Sequence, residues 1–242
     1  MSELTARTAW LVMAQRGNAV LTVNALRGFC EHHPSTPVIV VDDGSSAADL
    51  RIVQNASFPQ VEIISNQPHG VTAAWNCGAR AALSRGDGCG SRRDDRRGVS
   101  TGTSPAIVFL NNDTLTTGPW LDEFLTPLNR GRILCGLALR HEQEADFLPA
   151  ASRLFVAGWC FGCRLRHWQA VGGFDERLRL YFSDTDFQLR IRQHCGVTTA
   201  TRDDISAGLP ITHLGAGTTQ GIATRRSQWS ADRDVFRRQW QS

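Results

Sequence analysis

The stretch AIVFLNNDTLTTGPW, residues 106–120, joins an apolar run to a short polar segment. Its first five residues are apolar, and they run directly into Asn111, Asn112 and Asp113. A turn is the ordinary explanation, because Asn and Asp side chains bond to nearby backbone. The alternative is a buried strand that delivers one carboxylate, Asp113, into a cleft at its carboxyl end. The rest of the chain distinguishes the two.

Three earlier apolar runs repeat this pattern, at residues 9–13, 37–41 and 61–65. Helical spacing fills the segments between the runs, after a capping Asn18, from Ala47 and from about Thr72. Strands that alternate with helices predict a mixed, mostly parallel α/β sheet flanked by helices, of the Rossmann-like kind. Ligands of such sheets bind beyond the carboxyl ends of strands. The polar segments DDGS and NNDT both follow such ends and are therefore candidate site residues.

The length and composition of the chain indicate a globular protein. The chain has 242 residues, of which 41% are hydrophobic, so we expect one globular domain over 1–242. The formal charge of +3 is too small to indicate nucleic-acid binding by itself. No apolar run reaches the ~18 residues of a membrane span, and the first residues do not resemble a secretory signal. The seven cysteines are therefore interpreted as reduced thiols of a cytoplasmic protein.

Three further segments carry predictions of their own. Residues 86–104 are rich in Gly and Arg and predict a mobile surface loop, with phosphate binding as the weaker alternative. Cys160 and Cys163 form a lone C-x-x-C in apolar surroundings, which favours buried structural thiols over redox or zinc chemistry. The aromatic residues of the last 15 positions predict an amphipathic helix that packs on the domain, with a membrane surface as the alternative partner.

The second half is less regular. Residues 152–162 predict one strand, 164–171 a short helix, 172–178 a turn and 184–194 a helix, and His213 falls at a strand end. In order along the chain, the motifs are VVDDGSS, GVTAAWNCG, FLNNDT, VGGFDERLRLYFSDTDFQLRIR and ITHLGAG. This ordered set resembles family 2 glycosyltransferases, which have the GT-A fold, and most closely their bacterial rhamnosyltransferase-like branch. The resemblance covers about residues 9–240, apart from the Gly/Arg-rich segment.

The resemblance implies a nucleotide-binding half at about residues 8–115 and an acceptor and catalytic half at about 116–242. It implies that Asp113, the last residue of the family's D-x-D position, binds a divalent cation, Mn²⁺ or Mg²⁺. Asn111 stands where the family has an acid, so this site has one carboxylate. The late His213 is implied as a second metal ligand.

The other implied contacts concern the nucleotide-sugar. Asp43 would bond to the base, Ala14 would touch the nucleotide through its backbone, and Asn112 would bond to the ribose or sugar. Gly70 would let the backbone approach the donor. Asn76 would bond to phosphate or cap a helix. The alternative for the DDGSS segment is plain turn chemistry.

Asp184 is the implied general base, in a position where relatives have a Glu-Asp pair and this chain has Ser183 before it. At the start of a helix, a carboxylate faces the positive end of the helix dipole, which favours the charged form that a base needs. The alternative is an ordinary helix cap. Asp186 and Arg190, four residues apart, are predicted to pair as structural support.

The function implied is inverting, metal-dependent transfer of a hexose or deoxyhexose from a UDP- or dTDP-sugar to an acceptor hydroxyl. The acceptor is left open among glycan, lipid-linked glycan, protein, small molecule and modified DNA. The amide at Asn111 favours an alternative, a nucleotide-sugar-binding protein without turnover. A nucleotidyltransferase is a second alternative, although the chain has no Gly-rich phosphate loop with a Lys.

Overall fold

The computed structural model describes residues 9–86, 104–215 and 225–241. The strands are Ala9–Gln15 (β1), Val38–Asp42 (β2), Val61–Ser65 (β3), Ala106–Leu110 (β4), Thr114–Thr116 (β5), Leu134–Gly136 (β6), Leu139–His141 (β7), Leu154–Val156 (β8), Cys160–Arg164 (β9) and Ile211–His213 (β10). The α-helices are Ala19–His32 (α1), Ala47–Asn55 (α2), Val71–Gly86 (α3), Leu121–Phe124 (α4), Thr126–Asn129 (α5), Leu165–Ala170 (α6), Ser183–Cys195 (α7) and Arg225–Trp240 (α8).

The main sheet has six strands in the order β3-β2-β1-β4-β9-β6. The four strands from β3 to β4 are parallel, and β9 runs antiparallel to both β4 and β6. β1, β2 and β4 are buried along almost their whole length, as strands covered by helices on both faces must be. The predicted fold class is confirmed.

Strand order reverses at β1, because β2 lies on one side of it and β4 on the other. The carboxyl ends of these three strands carry Gln15, Asp42 and Leu110, followed by the polar segments of the sequence. This edge is the switch point at which open α/β sheets bind ligands.

The single strand predicted over residues 152–162 is wrong. The structure has two strands there, β8 and β9, with a break at residues 157–159. β8 leaves the main sheet and pairs with β7, while β9 joins β4. The break contains Gly158, which the cleft described below uses.

A small two-stranded ladder joins two distant parts of the chain. β5 pairs antiparallel with β10, so that Thr114 lies opposite His213. The Leu214 N–H then donates to the Asp113 carbonyl at 2.9 Å. This pairing carries His213 to the carboxyl end of β4, although 100 residues separate it from Asp113.

Cys160 and Cys163 are buried in β9, as the sequence predicts for structural thiols. Burial raises the pKa of Cys163 to about 12 and that of Cys160 well above its ordinary value. Because the thiolate is the reactive form, both thiols should resist iodoacetamide at pH 8 in the folded protein and react fully in guanidinium. Mass spectrometry of the alkylated peptides measures this, and rapid native labelling of either thiol would contradict it.

The C-terminal α8 packs on the domain through the buried Phe236, as predicted. No helix in the described part of the chain is long and apolar enough to cross a membrane. The predicted mobile loop at residues 86–104 lies almost entirely outside the described residues.

Candidate active site

A cleft of about 910 Å³ opens at the carboxyl ends of β1, β2 and β4. Its walls come from both halves of the chain. Seven residues that the sequence singles out line it, namely Ala14, Asp43, Gly70, Asn112, Asp113, Asp184 and His213. A space of this size accommodates a nucleotide-sized ligand.

Asp43 lies at the β2 side of the cleft and is 2% exposed. Its carboxylate accepts hydrogen bonds from the backbone N–H groups of His69 and Gly70 at 2.9 Å, and Arg16 approaches it to 3.7 Å. Burial raises the pKa of Asp43, and these three neighbours oppose that rise. The carboxylate therefore holds the 68–70 turn in place at the cleft wall.

Gly70 has a φ of +103°, a conformation that L side chains rarely adopt. The carbonyl oxygen of Arg179 occupies the place that a Cβ at this position would need. Position 70 therefore requires a glycine for two reasons, the positive φ of the turn and the close approach of the Arg179 carbonyl.

Asp113 and His213 meet at the end of β4. Their Oδ1 and Nε2 atoms lie 3.0 Å apart, and the carboxylate is 6% exposed. The imidazole stacks on Trp159 with ring centroids 5.0 Å apart and planes 3° from parallel. The stacking and the β5–β10 ladder together fix which ring atom points at the carboxylate.

The chemistry of this pair fits a divalent cation. Within residues 9–86, 104–215 and 225–241, no three His, Cys, Asp or Glu side chains could hold a metal by themselves. A cation that bridges a nucleotide diphosphate needs only one or two protein ligands, because phosphate oxygens and water supply the others. Asp113 and His213 provide one oxygen and one nitrogen donor that converge at the cleft. The carboxylate is a ligand that suits Mn²⁺ and Mg²⁺, and imidazole suits them less well.

Asp184 lies in the first turn of α7, with Phe182 at the N-cap position. Its Oδ2 accepts from Arg140 at 2.8 Å, and the same guanidinium donates to Glu142 and Thr185. Burial disfavours the Arg140 charge, but Asp184 and Glu142 outweigh it and raise the pKa of this guanidinium. Arg140 thus orients the Asp184 carboxylate through its Oδ2 atom, and Asp184 is among the residues that line the cleft.

Gly158, in the break between β8 and β9, makes room for this carboxylate. A Cβ at Gly158 would collide with Asp184 Oδ2. Because Gly158 has no side chain, the Asp184 carboxylate can lie directly against the backbone between β8 and β9.

Asn76 is not among the residues that line the cleft, although its neighbour Trp75 is. Its Nδ2 donates to the Phe174 carbonyl and to Glu176, both at 2.9 Å, and its Oδ1 accepts from the Phe174 N–H. The amide thus ties α3 to the GGFDE turn. Asn112 lines the cleft, but its Nδ2 donates inward to Thr22 of α1 at 2.9 Å.

Asp186 is fully buried and pairs with Arg190 at 2.8 Å, as predicted. Gln239 and Trp240 of α8 also donate to it, at 2.8 and 3.0 Å. Burial raises the pKa of Asp186, opposed by Arg190 and Trp240. A carboxylate closed off in this way cannot reach a substrate, which leaves Asp184 as the acid of the SDTD segment that faces the cleft.

Sequence reasoning missed Arg140, Gly158 and the α8 residue Gln228, which also lines the cleft. None of them belongs to a motif, and each reaches the site only through tertiary packing. A glycine between two apolar runs was the one available signal for Gly158.

The sheet order and the position of the cleft define the class as the GT-A fold. The solved structure of the mannosyltransferase PcManGT from Pyrobaculum calidifontis, in complex with GDP-Man and Mn²⁺, has a TM-score of 0.59 at 15% identity. That match covers 92% of this chain and 61% of the mannosyltransferase, so the chain spans less than two thirds of that protein.

Two other structures show the same fold. Glucosyl-3-phosphoglycerate synthase from Mycobacterium tuberculosis, in complex with Mn²⁺, UDP and glucosyl-3-phosphoglycerate, has a TM-score of 0.57 at 12% identity, over 93% of this chain and 78% of that one. S. aureus TarS, residues 1–349, has a TM-score of 0.51 at 11% identity, over 76% of this chain and 55% of that one.

The family model described as "Glycosyl transferase family 2" matches residues 19–199, about three quarters of the chain. The chain belongs to glycosyl transferase family 2. No curated protein sequence matches it.

Proposed function

We propose that this protein is an inverting, metal-dependent glycosyltransferase that moves a sugar from a nucleoside-diphosphate sugar to an acceptor hydroxyl. The observation that carries the proposal is one cleft lined by Asp43, by the Asp113–His213 pair and by Asp184. In the proposed reaction, Asp43 binds the nucleobase and the Asp113–His213 pair binds the cation at the diphosphate. Asp184 accepts the proton of the acceptor hydroxyl. Family membership supports the same reaction class.

The donor is proposed to be a UDP- or dTDP-sugar that carries a hexose or deoxyhexose, as in the rhamnosyltransferase-like branch. The solved relatives above contain GDP-Man in one case and UDP in another, together with Mn²⁺. Asp43 would accept a hydrogen bond from the base, and Asp113 and His213 would hold the cation. Bound there, the cation would neutralise the charge that develops on the leaving diphosphate.

In the transfer step, Asp184 takes the proton of the acceptor hydroxyl as its oxygen bonds to the anomeric carbon. The bond from that carbon to the diphosphate oxygen breaks, and the nucleoside diphosphate leaves. Attack from the face opposite the leaving group inverts the anomeric centre. Arg140 keeps the carboxylate aimed at the attacking oxygen, and the cleft walls hold the two reactants in line.

A panel of UDP-, dTDP- and GDP-sugars with Mn²⁺, scored by released nucleoside diphosphate, tests the proposal. We expect release from one donor, increased by addition of the correct acceptor and abolished by EDTA. Binding of a donor without release under any condition would instead support the nucleotide-sugar-binding alternative, which the amide at Asn111 favours. Release of pyrophosphate from a nucleoside triphosphate would support the nucleotidyltransferase.

A further inference from the structure

Helix α8 lies beyond residues 19–199, which the family model matches, yet it contacts the segment that leads into Asp184. That segment, residues 179–182, forms part of the cleft wall and ends at the N-cap of α7. Family motifs do not account for these contacts, so they need an explanation of their own.

Asp232 of α8 is 1% exposed and aims its carboxylate at the backbone of this segment. Its Oδ1 accepts from the Arg179 N–H at 3.2 Å, and its Oδ2 accepts from Leu180 and Tyr181 at 2.9 and 2.8 Å. Gln228, which lines the cleft, donates to Oδ1 at 2.7 Å. Charge-assisted bonds to three successive amides fix the path of the backbone.

Phe182, the next residue, has a φ of +61°, which is costly for a residue with a bulky side chain. Its ring stacks on Phe236 of α8, with centroids 5.3 Å apart, and lies 5.9 Å from Trp229. The same helix therefore holds the backbone before the strained residue and the ring of the strained residue itself. Ser183 and Asp184 follow directly and face the cleft.

The opposite end of the segment is also anchored. The Arg179 side chain donates to the carbonyls of Pro68 and His69 at 3.0 and 3.1 Å, in the turn that Asp43 holds. The Thr72 hydroxyl donates to the Leu178 carbonyl. The start of the segment is therefore held by the turn at residues 68–70 as well as by Asp232, and the residues that follow are held by α8.

We propose that Asp232 is a positioning residue that sets the place of the Asp184 carboxylate by fixing residues 179–182 from α8. The inference rests on the proposed function, because it assigns Asp232 an effect on transfer that acts through the general base. It adds a residue outside the family-matched region to the machinery of the reaction.

Asp232→Asn is a sharp test because an amide cannot replace this carboxylate. Either orientation of the Asn side chain turns its NH₂ toward backbone N–H donors, those of Leu180 and Tyr181 or that of Arg179. We expect amide hydrogen exchange to rise at residues 180–184 and kcat to fall at least ~10-fold, since a small misplacement of a reacting group is costly.

Trp240→Phe is the matched control. It removes a different polar contact of α8, the 3.0 Å bond to the buried Asp186, and none of the bonds that Asp232 makes to residues 179–181. We expect it to lower Tm while kcat stays within about twofold of the parent value, since it moves no reacting group. Equal losses of kcat in both variants would show that α8 contributes stability alone and would overturn the proposal.

A double-mutant cycle with Asp184→Asn separates this proposal from the proposed function. If Asp232 acts through Asp184, Asp232→Asn adds little once the base is gone. Full additivity, or an unchanged kcat in Asp232→Asn, overturns the positioning role, whereas unchanged transfer in Asp184→Asn overturns the base assignment itself. Should Asp232→Asn not fold, Phe236→Leu removes the stacking under Phe182 with the same expectations.

Discussion

Asp184→Asn is expected to lower transfer by roughly 10²–10⁴-fold, the usual contribution of a positioned general base. The amide keeps the shape of the side chain, and its oxygen can still accept from Arg140. It cannot take the acceptor proton. Because that interaction is made only as the proton moves, the affinity for the nucleoside diphosphate with Mn²⁺ should change less than about threefold.

Single-turnover transfer and calorimetric titration of the nucleoside diphosphate measure the two quantities separately. Asp234→Asn, which neutralises an exposed carboxylate on α8, is the control and should behave as the parent. A variant that loses nucleotide affinity but turns over bound donor at the parent rate would identify Asp184 as a binding or capping residue. The fully buried Asp186 could not then take its place as the base.

The first half of the fold was accessible from sequence because its strands are uninterrupted apolar runs that end at polar turns. The strands Val61–Ser65 and Ala106–Leu110 have the bounds that the pattern predicts. β1 extends two residues beyond its predicted run, and β2 is shifted by one residue. A strand buried on both faces permits little ambiguity, since every position must be apolar. Because Asp43 and Asp113 each follow the carboxyl end of a parallel strand, the sequence also predicted that both lie at the same edge of the sheet.

The second half was less predictable because its strands are short and its contacts are non-local. β5 and β10 have three residues each, too few for a periodic signal, yet their pairing alone brings His213 to Asp113. Likewise Arg140 reaches Asp184 across 44 positions of sequence from the short strand β7. Such partners are chosen by packing, and the family resemblance could supply His213 but not Arg140.

The donor contact implied for Asn76 stays a prediction, and the structure shows a role for this residue in the fold. The GVTAAWNCG segment matched the family pattern, but the Asn76 amide meets Phe174 and Glu176, some 100 positions along the chain, through both its nitrogen and its oxygen. In this structure the Asn76 side chain ties α3 to the GGFDE turn. A matching motif therefore does not distinguish a residue that stabilises the fold from one that binds the ligand. The tertiary contacts are needed to separate the two roles.

Asp113→Ala is expected to remove the effect of Mn²⁺ on nucleotide binding. In the proposed site, Asp113 is the only carboxylate ligand, and the neutralisation of a diphosphate by a cation is worth several kcal/mol. At about 1.4 kcal/mol per factor of ten, affinity in the presence of Mn²⁺ should fall about 100-fold or more. His213→Ala should have a smaller effect, because the carboxylate carries the charge that attracts the cation.

Asn111→Ala is the matched control, since it alters the neighbouring side chain at the same cleft without removing an acid. It should change Mn²⁺-dependent affinity much less than Asp113→Ala. Thermal unfolding without metal separates a binding role from the loss of the 3.0 Å contact to His213, which would lower Tm with or without nucleotide. If the parent protein binds nucleoside diphosphate equally well with Mn²⁺ and with EDTA, Asp113 and His213 form a structural pair and the metal-dependent mechanism fails.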